Sequence, residues 1–347
     1  MKKIKIAQIG TGHDHAAPTI WSIDRCKDVF DFVGYAVGKD DEEKYEEEKK
    51  AYEPFRKMTV EEILALEDLD AVAIETTELS SVYYAQMAAE RGLHVHLDKP
   101  GNESAEEFET LLSTIKDKGK ILSMGYMYRF NPAVLKAKEQ IKAGKLGKIY
   151  AVEAHMDCSH PPKKRQWLEQ FQGGMTFYLG CHLIDLVTQF KGFPLSAVPY
   201  NYPAGADGVT AKDNGMAVLL YPTGASFIKS CAAEVGGFMR RQLVVCGERG
   251  TVEIQPIEAF TNKGGSVLSA DYKQTLLNEG ELSASWSAIP EKDYFEFDRY
   301  DPMMKNFAQR IVSGEQGEYT LEYEARLHRL VLACCGIACD FNGEIRL

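Results

Sequence analysis

Two short segments contain the residues best suited to chemistry. A strand-like run over 3–9 leads into the Gly-Thr-Gly turn Gly10–Gly12, and another apolar run leads into Asp98–Pro100. Glycines after a strand allow a tight turn and a close approach to a ligand, and a helix starting near Asp14 would direct its N-terminal N–H groups at a phosphate. A lysine at a strand's carboxyl end, here Lys99, can stabilise a developing alkoxide. The two segments predict a nicotinamide nucleotide site with a reactive lysine beside it.

A third candidate lies in the segment 173–185, where a pair of glycines precedes a predicted helix. His182 and Asp185 are spaced i and i+3, which puts them on one face of that helix. An imidazole that titrates near neutral pH is a natural general base for a hydroxyl proton as hydride leaves. A packing role, with His182 bonded to Asp185, explains the pair equally well. For Lys99 the alternative is a surface lysine, and its place at a strand end favours function.

Composition limits the classes of protein that this chain can be. Its 347 residues are enough for two domains, and the net charge of −11 argues against a nucleic-acid partner. No apolar run approaches the roughly 18 residues of a membrane span, and the first apolar run is too short for an export signal. The 8 cysteines show no metal or disulfide spacing, which fits a reducing compartment. We therefore expect a cytoplasmic protein without a membrane or nucleic-acid partner.

The first third of the chain alternates predicted strands and helices, which is typical of an α/β fold. This alternation predicts a Rossmann-type domain over residues 1–124, with a doubly wound parallel sheet. Thr59 and Ser104 are predicted N-caps, and Gly92 is a predicted helix stop. The charged stretch 40–50 is predicted to form a solvated helix.

After residue 125 the pattern changes to many short strand-like runs separated by Gly, Asn and Pro. A hairpin turn is predicted at 247–250, and helices are predicted at 132–143, 302–313 and 322–341. These patterns predict an α+β second domain over 125–347 with a large, mostly antiparallel open sheet. Its last helix could pack back on the first domain.

Five segments, taken in order along the chain, resemble one known family. They are 6–12 (IAQIGTG), 98–100 (DKP), 128–132 (YRFNP), 144–147 (GKLG) and 173–185 (GGMTFYLGCHLID). Together they closely resemble the glucose–fructose oxidoreductase / inositol dehydrogenase / rhizopine catabolism (Gfo/Idh/MocA) family. The resemblance implies NAD(P)-dependent hydride transfer at a ring carbon of a sugar or cyclitol. It also implies that Lys99 is the catalytic lysine, that His182 is the base, and that the second sheet forms a homodimer or homotetramer.

Several positions depart from the expected patterns. His15 replaces the third glycine of the dinucleotide fingerprint, and the family's Thr-Pro-x-x-x-His is absent from 76–81. Tyr178 stands where many relatives have an aspartate, four residues before the histidine that corresponds to His182. A phenol, with a pKa of about 10, can relay a proton but does not supply a carboxylate's charge. After the second strand, Asp40 would hold ribose hydroxyls and favour NAD, whereas Lys39 would accommodate a 2′-phosphate. We expect NAD, with NADP as the alternative.

The remaining histidines fall into two groups. His13 and His15 lie beside the predicted cradle, and His155 and His160, with Asp157, lie in the second domain. Imidazoles and a carboxylate are suitable metal ligands, but no local spacing demands a metal. We assign none and favour separate hydrogen bonds to substrate. Trp167 would offer a stacking face to a sugar ring, and Arg129 is either a substrate ligand or a structural ion-pair partner.

These considerations give three sets of site residues. Those assigned to the cofactor are Gly10, Thr11, Gly12, His13, His15, Lys39, Asp40, Thr76, Thr77, Asp98, Lys99, Pro100 and Met127. Those assigned to the substrate are Lys99, Tyr126, Arg129, His155, Trp167, Tyr178, His182 and Asp185, and those assigned to catalysis are Lys99, Tyr178 and His182.

The first hypothesis is a sugar or cyclitol oxidoreductase. The second is an enzyme that recycles bound NAD to cleave glycosides by transient oxidation and elimination, and the third is a non-catalytic nucleotide-binding protein.

Overall fold

The computed structural model describes residues 3–261, 267–277, 291–343, 345 and 347. The chain divides into two units. The first comprises Met1–Tyr126, Tyr300–His328 and Gly343–Leu347, and the second comprises Met127–Arg299 and Arg329–Asn342. The chain therefore enters the second unit after Tyr126, where the sequence placed the boundary after 124, and it returns to the first unit at Tyr300.

The first unit contains a parallel sheet, as predicted. Its strands are β1 (Ile4–Ile9), β2 (Phe30–Ala36), β3 (Lys57–Met58), β4 (Ala71–Ile74), β5 (His94–Leu97) and β6 (Leu122–Met124). Their order is β3-β2-β1-β4-β5-β6, and every neighbouring pair is parallel. The doubly wound Rossmann prediction is confirmed. The strand order reverses between β1 and β4, and ligands of such sheets bind at the carboxyl ends beside this point.

Five helices connect these strands. They are α1 (Ala16–Arg25), α2 (Glu42–Glu48), α3 (Val60–Leu64), α4 (Ser81–Glu90) and α5 (Ala105–Asp117). The predicted caps are confirmed: the Thr59 hydroxyl accepts the Glu62 amide, and the Ser104 hydroxyl accepts the Glu107 amide. Gly92 follows α4 with a φ of +73°, a backbone conformation that favours glycine.

The second unit is built on a mostly antiparallel sheet, as predicted. Its strands are β7 (Ile149–His155), β8 (Ser196–Tyr202), β9 (Asn214–Leu220), β10 (Ala225–Cys231), β11 (Gln242–Gly247), β12 (Gly250–Ile254), β13 (Ala259–Phe260), β14 (Val267–Leu276) and β15 (Glu291–Asp298). The order is β13-β14-β12-β11-β7-β10-β9-β8, with β15 also paired to β14. Among the described strands of this second sheet, only β7 and β10 pair in parallel. The predicted hairpin turn joins β11 to β12.

The described α-helices that lie wholly within this unit are α6 (Pro132–Lys142), α7 (Pro162–Trp167) and α8 (Cys181–Lys191). A π-helical turn, Thr176–Gly180, leads directly into α8. The glycines before it are required by close packing. A Cβ at Gly173 would lie 2.2 Å from the Cys335 sulfur, and Gly174 has a φ of +52° with its Cβ position 2.1 Å from the Lys212 carbonyl oxygen.

The chain ends in α9 (Asp301–Ser313) and α10 (Leu321–Cys334). The predicted helix over 322–341 is therefore too long. Gly336 adopts a φ of +84°, and this left-handed residue ends the helical path two residues beyond α10. Residues of α10 up to His328 belong to the first unit and those from Arg329 to the second. None of the described helices combines the length and apolar character needed to cross a bilayer.

Candidate functional site

The Gly10–Gly12 turn lies at the carboxyl end of β1, against the residues that follow β4. Gly10 has a φ of +107°, and a Cβ there would lie 2.2 Å from the Thr76 nitrogen. Only glycine fits at this position. The turn therefore brings the backbone N–H groups after β1 and β4 side by side, which is the arrangement that a phosphate cradle needs.

The Asp41 carboxylate occupies this cradle. It accepts the backbone N–H groups of Thr11 at 2.9 Å, Gly38 at 3.0 Å and Thr77 at 3.1 Å, which follow β1, β2 and β4. Asp41 is 1% exposed, and burial raises its pKa although these N–H groups lower it. Amides from three strand ends therefore converge on one anion.

The carboxylate that the structure places in the cradle comes one residue after the one that the sequence analysis assigned to the ribose. Lys39 and Asp40, which were assigned to the ribose, are both exposed, and the carboxylate in the cradle belongs to Asp41. The Lys39 amide donates to the Tyr84 hydroxyl at 2.8 Å. No local signal separates Asp41 from Asp40, because the Asp41 carboxylate accepts N–H groups that follow three strands and none from the start of α2.

Lys99 follows β5 and is 2% exposed. Its backbone N–H donates to Asp98 Oδ1 at 2.6 Å, and Asp98 Oδ2 lies 3.0 Å from Nδ1 of His15. His15 is the last residue before α1 and packs edge to face with Tyr300, with ring centroids 5.6 Å apart. The Asp98–Pro100 segment is thus attached to the start of α1 through an imidazole in the position of the fingerprint's third glycine.

Beneath this contact lies a cluster of buried titratable groups. Burial lowers the pKa of His13 well below its usual value, and burial together with the charge of Asp98 raises the pKa of Glu75 well above its own. Burial alone would raise the pKa of Asp98, but the imidazoles of His13 and His15 and the Lys99 ammonium lower it well below its usual value. Asp98 is therefore the ionised carboxyl of the pair that it forms with Glu75.

In the second unit, His182 is the second residue of α8 and is 1% exposed. The Tyr128 ring meets it edge to face, with centroids 4.9 Å apart. The Tyr128 hydroxyl donates to Glu258 and accepts a bond from Arg241 at 3.0 Å. The ring that packs on His182 is thus fixed by a buried charge network. π-Helical turns such as the one before His182 occur frequently at functional sites.

Arg129 and Asp185 form a buried pair. Arg129 Nε lies 3.1 and 3.0 Å from the two Asp185 oxygens, and Nη2 lies 2.8 Å from Oδ1. Gln189 donates to Oδ2 at 2.7 Å, and both charged side chains are at most 3% exposed. Of the two roles considered for Arg129, this geometry supports the structural ion pair, and it directs the Asp185 carboxylate to Arg129 and Gln189.

Tyr178 lies within the π-helical turn and is 6% exposed. Its ring is 5.4 Å from Trp167 in an edge-to-face contact and 6.3 Å from Phe171 in a stacked one. Lys164 Nζ lies 3.9 Å from the Trp167 ring centroid and 5.1 Å from that of Tyr178. Trp167 and Tyr178, assigned separately from sequence, are therefore neighbours, and Lys164 is a member of the group that sequence reasoning missed.

The other assigned residues are distributed over both units. Thr76 and Thr77 follow β4 at the cradle, and Pro100 follows Lys99. Tyr126 and Met127 are buried at the end of the first unit and the start of the second. His155 ends β7, half-buried, with its ring 5.5 Å from that of Phe227.

Two family models match the chain. Residues 4–126 match the model described as the oxidoreductase family, NAD-binding Rossmann fold, and residues 134–253 match the GFO/IDH/MocA C-terminal domain. The chain belongs to the GFO/IDH/MocA oxidoreductase family. The resemblance inferred from sequence is thereby confirmed, as is the NAD-binding class of its first unit.

Individual relatives are more distant. A D-xylose 1-dehydrogenase (NADP(+)) of Haloferax volcanii is 30% identical over 48% of this chain and 51% of its own. A scyllo-inositol 2-dehydrogenase (NAD(+)) of Bacillus subtilis is 31% identical over 40% of each chain. The matches to these two curated relatives thus span about half of their length or less. The crystal structure of a putative NADPH-dependent oxidoreductase from Desulfitobacterium hafniense superimposes with a TM-score of 0.80, covering 97% of this chain and 96% of that one at 20% identity. That likeness shows the fold.

Proposed function

We propose that this family member is an NAD-dependent oxidoreductase that transfers hydride between nicotinamide and a ring carbon of a sugar, sugar derivative or cyclitol. The observation that supports it most directly is the convergence of three strand-end amides on the Asp41 carboxylate, with Lys99 following a neighbouring strand. The names of the xylose and inositol dehydrogenase relatives support the substrate class.

The first unit fits a dinucleotide. Backbone amides that hold a carboxylate can also hold a phosphate, so we assign Gly10–Gly12, Thr76 and Thr77 to the pyrophosphate, which would displace the Asp41 carboxylate from the Thr11 and Thr77 amides. A buried carboxylate at the end of β2 disfavours a 2′-phosphate, so Asp41 favours NAD over NADP. When bound, the nicotinamide ring supplies the hydride acceptor or donor.

The chain's own residues would handle the substrate oxygen and its proton. Lys99, whose backbone is bonded to Asp98, would donate a hydrogen bond to the reacting oxygen and stabilise negative charge there. His182 would accept the hydroxyl proton, and the Tyr178 hydroxyl would assist by donating a hydrogen bond.

Two measurements test the proposal. Mass spectrometry of the nucleotide released on denaturation identifies any cofactor that is held between turnovers, and NADH formation with a panel of sugars and cyclitols measures activity. Lys99→Met should abolish turnover and leave NAD binding nearly intact, whereas Lys118→Met, at an exposed lysine of the same unit, should change neither. Unchanged turnover in Lys99→Met would refute the role of Lys99.

A second candidate function is favoured by the surroundings of Tyr178. A phenol flanked by the Lys164 ammonium and the Trp167 ring could act as an acid or base where relatives use a carboxylate. We therefore consider glycoside cleavage with recycling of bound NAD. It predicts release of the leaving group from a glycoside without added cofactor and without net NADH, and a panel that yields only stoichiometric NADH excludes it.

We also propose that the second sheet mediates a homodimer or homotetramer. On its terminal strand β8, Tyr200 and Tyr202 are 45% and 65% exposed. Exposed aromatic side chains on a sheet are typical of association surfaces. Light scattering should give two or four times the 38.8 kDa chain mass, and Tyr202→Glu should lower it. A monomer at micromolar concentration would contradict the assignment.

A further inference from the structure

The cluster of buried titratable groups at the contact between Asp98 and His15 combines two imidazoles with two carboxyl groups. His13 and His15 come from the loop between β1 and α1, Glu75 directly follows β4, and Asp98 directly follows β5. His13, Glu75 and Asp98 are at most 3% exposed, and the His15 side chain is 14% exposed. Three separate strand ends therefore contribute to one group of nitrogen and oxygen donors.

The donor atoms are spaced as metal ligands are. Asp98 Oδ2 lies 3.0 Å from His15 Nδ1 and 3.4 Å from His13 Nδ1, and Glu75 Oε2 lies 3.8 Å from His13 Nδ1. Two ligands bound at about 2.0–2.1 Å around a tetrahedral ion are separated by about 3.3 Å. One donor atom from each of His13, His15 and Asp98 falls within 4.8 Å of the other two.

A second, independent observation is the unsatisfied polar atoms of the cluster. Within the described part of the chain, neither carboxylate oxygen of Glu75 has a hydrogen-bond partner. Glu75 is 0% exposed, and its Oε2 points toward the His13 imidazole. Buried polar groups are ordinarily paired, because leaving one unpaired costs about 1–3 kcal/mol. A cation bound to His13 Nδ1 would lie on the side of the imidazole that faces the Glu75 carboxyl.

We propose that His13, His15 and Asp98 form a binding site for one divalent transition metal ion of the Zn²⁺ class, with the Glu75 carboxyl beside His13. Two imidazoles with carboxylate oxygens are a ligand set that suits this class. The amide of His15 donates to His13 Nδ1 at 3.1 Å, and the metal ion replaces that hydrogen bond with a coordination bond.

The ion would join the loop before α1 to the end of β5. Because Asp98 also accepts the Lys99 amide, the metal fixes the backbone of the proposed catalytic lysine. Metal content is measured without substrate or cofactor, so the test of this site does not depend on the outcome for hydride transfer.

The test uses full-length protein purified without a histidine tag, stripped with a chelator, titrated with Zn²⁺ and desalted before elemental analysis. We expect about one Zn²⁺ per chain, and at least about a 100-fold loss of affinity in His13→Gln and in His15→Gln. His155→Gln, which changes a half-buried histidine in the second unit, is the matched control and should keep full binding. Wild-type stoichiometry in both cluster variants, or loss of binding in the control, would overturn the assignment.

Cobalt binding provides a readout that needs no variant. Co²⁺ added to the stripped wild-type protein should give the intense visible absorption of a tetrahedral nitrogen and oxygen site, and one equivalent of Zn²⁺ should abolish it. Circular dichroism of each variant shows whether the chain is folded. Stripped wild-type protein that binds neither ion after desalting refutes the site.

Discussion

Replacing Asp185 with asparagine, a side chain of nearly the same shape, should destabilise the second unit severely. Asp185 accepts hydrogen bonds from Arg129 and Gln189 through both oxygens. An asparagine amide keeps one acceptor oxygen, so the Gln189 bond to Oδ2 is lost and Arg129 keeps its bonds to Oδ1. The variant also leaves the buried Arg129 charge without its counter-ion. Because breaking a buried ion pair costs about 3–5 kcal/mol, we expect a loss of about that size.

The double variant Arg129→Met/Asp185→Leu separates the energy of the ion pair from the cost of leaving one buried charge without its partner. Both charges disappear, so no buried charge remains without a partner, and we expect the double variant to cost far less than the sum of the single changes. A coupling free energy of at least about 2 kcal/mol should result.

The assay must report on the second unit alone, because two units can unfold in separate steps. Hydrogen exchange measured by mass spectrometry on peptides from α8 gives its local opening free energy, and urea denaturation gives the global value. We expect exchange in α8 to accelerate by about 100-fold or more in Asp185→Asn, since each 1.4 kcal/mol is about tenfold. Unchanged exchange combined with an altered KM would refute this reasoning and show that Arg129 and Asp185 bind substrate.

Other consequences can be checked with single changes. Asp41→Asn removes the negative charge of the cradle, so the ratio of the affinity for NADP⁺ to that for NAD⁺ should rise by about 10- to 100-fold in calorimetric titrations. An unchanged ratio would mean that another group selects the ribose. Tyr178→Phe keeps the aromatic packing and removes the hydroxyl, so kcat should fall by about 100-fold with KM nearly constant, unless the hydroxyl has no part in proton transfer. Burial alone would raise the pKa of Glu258, but Arg299 and Arg241 outweigh it and hold that pKa below its usual value. The ionised carboxylate therefore stabilises the second unit above about pH 4.3, and this contribution is lost as the pH falls through the lowered folded-state pKa. Glu258→Gln should flatten the dependence of the free energy of unfolding on pH. Parallel plots of that free energy against pH for the wild type and the variant would contradict the assignment.

The local sequence determined the elements and their class. Strand periodicity and the turn glycines were enough to predict the parallel sheet and the antiparallel one, and the caps at Thr59 and Ser104 were confirmed, because these features depend on residues a few positions apart. The order of motifs was enough to identify the family. The end of α10 was missed because a single glycine, Gly336, ends a helix whose apolar pattern continues beyond it.

Only the tertiary structure decided which side chains act together. Asp41 rather than Asp40 enters the cradle, since the choice depends on how β1, β2 and β4 bring their terminal amides to one point. Asp185 meets Arg129, 56 positions away, and His13 meets Glu75, 62 positions away in numbering, so no local spacing reveals either contact. The pKa and the contacts of a buried carboxylate or imidazole depend on the groups that surround it. Here those groups come from strand ends that are distant in sequence.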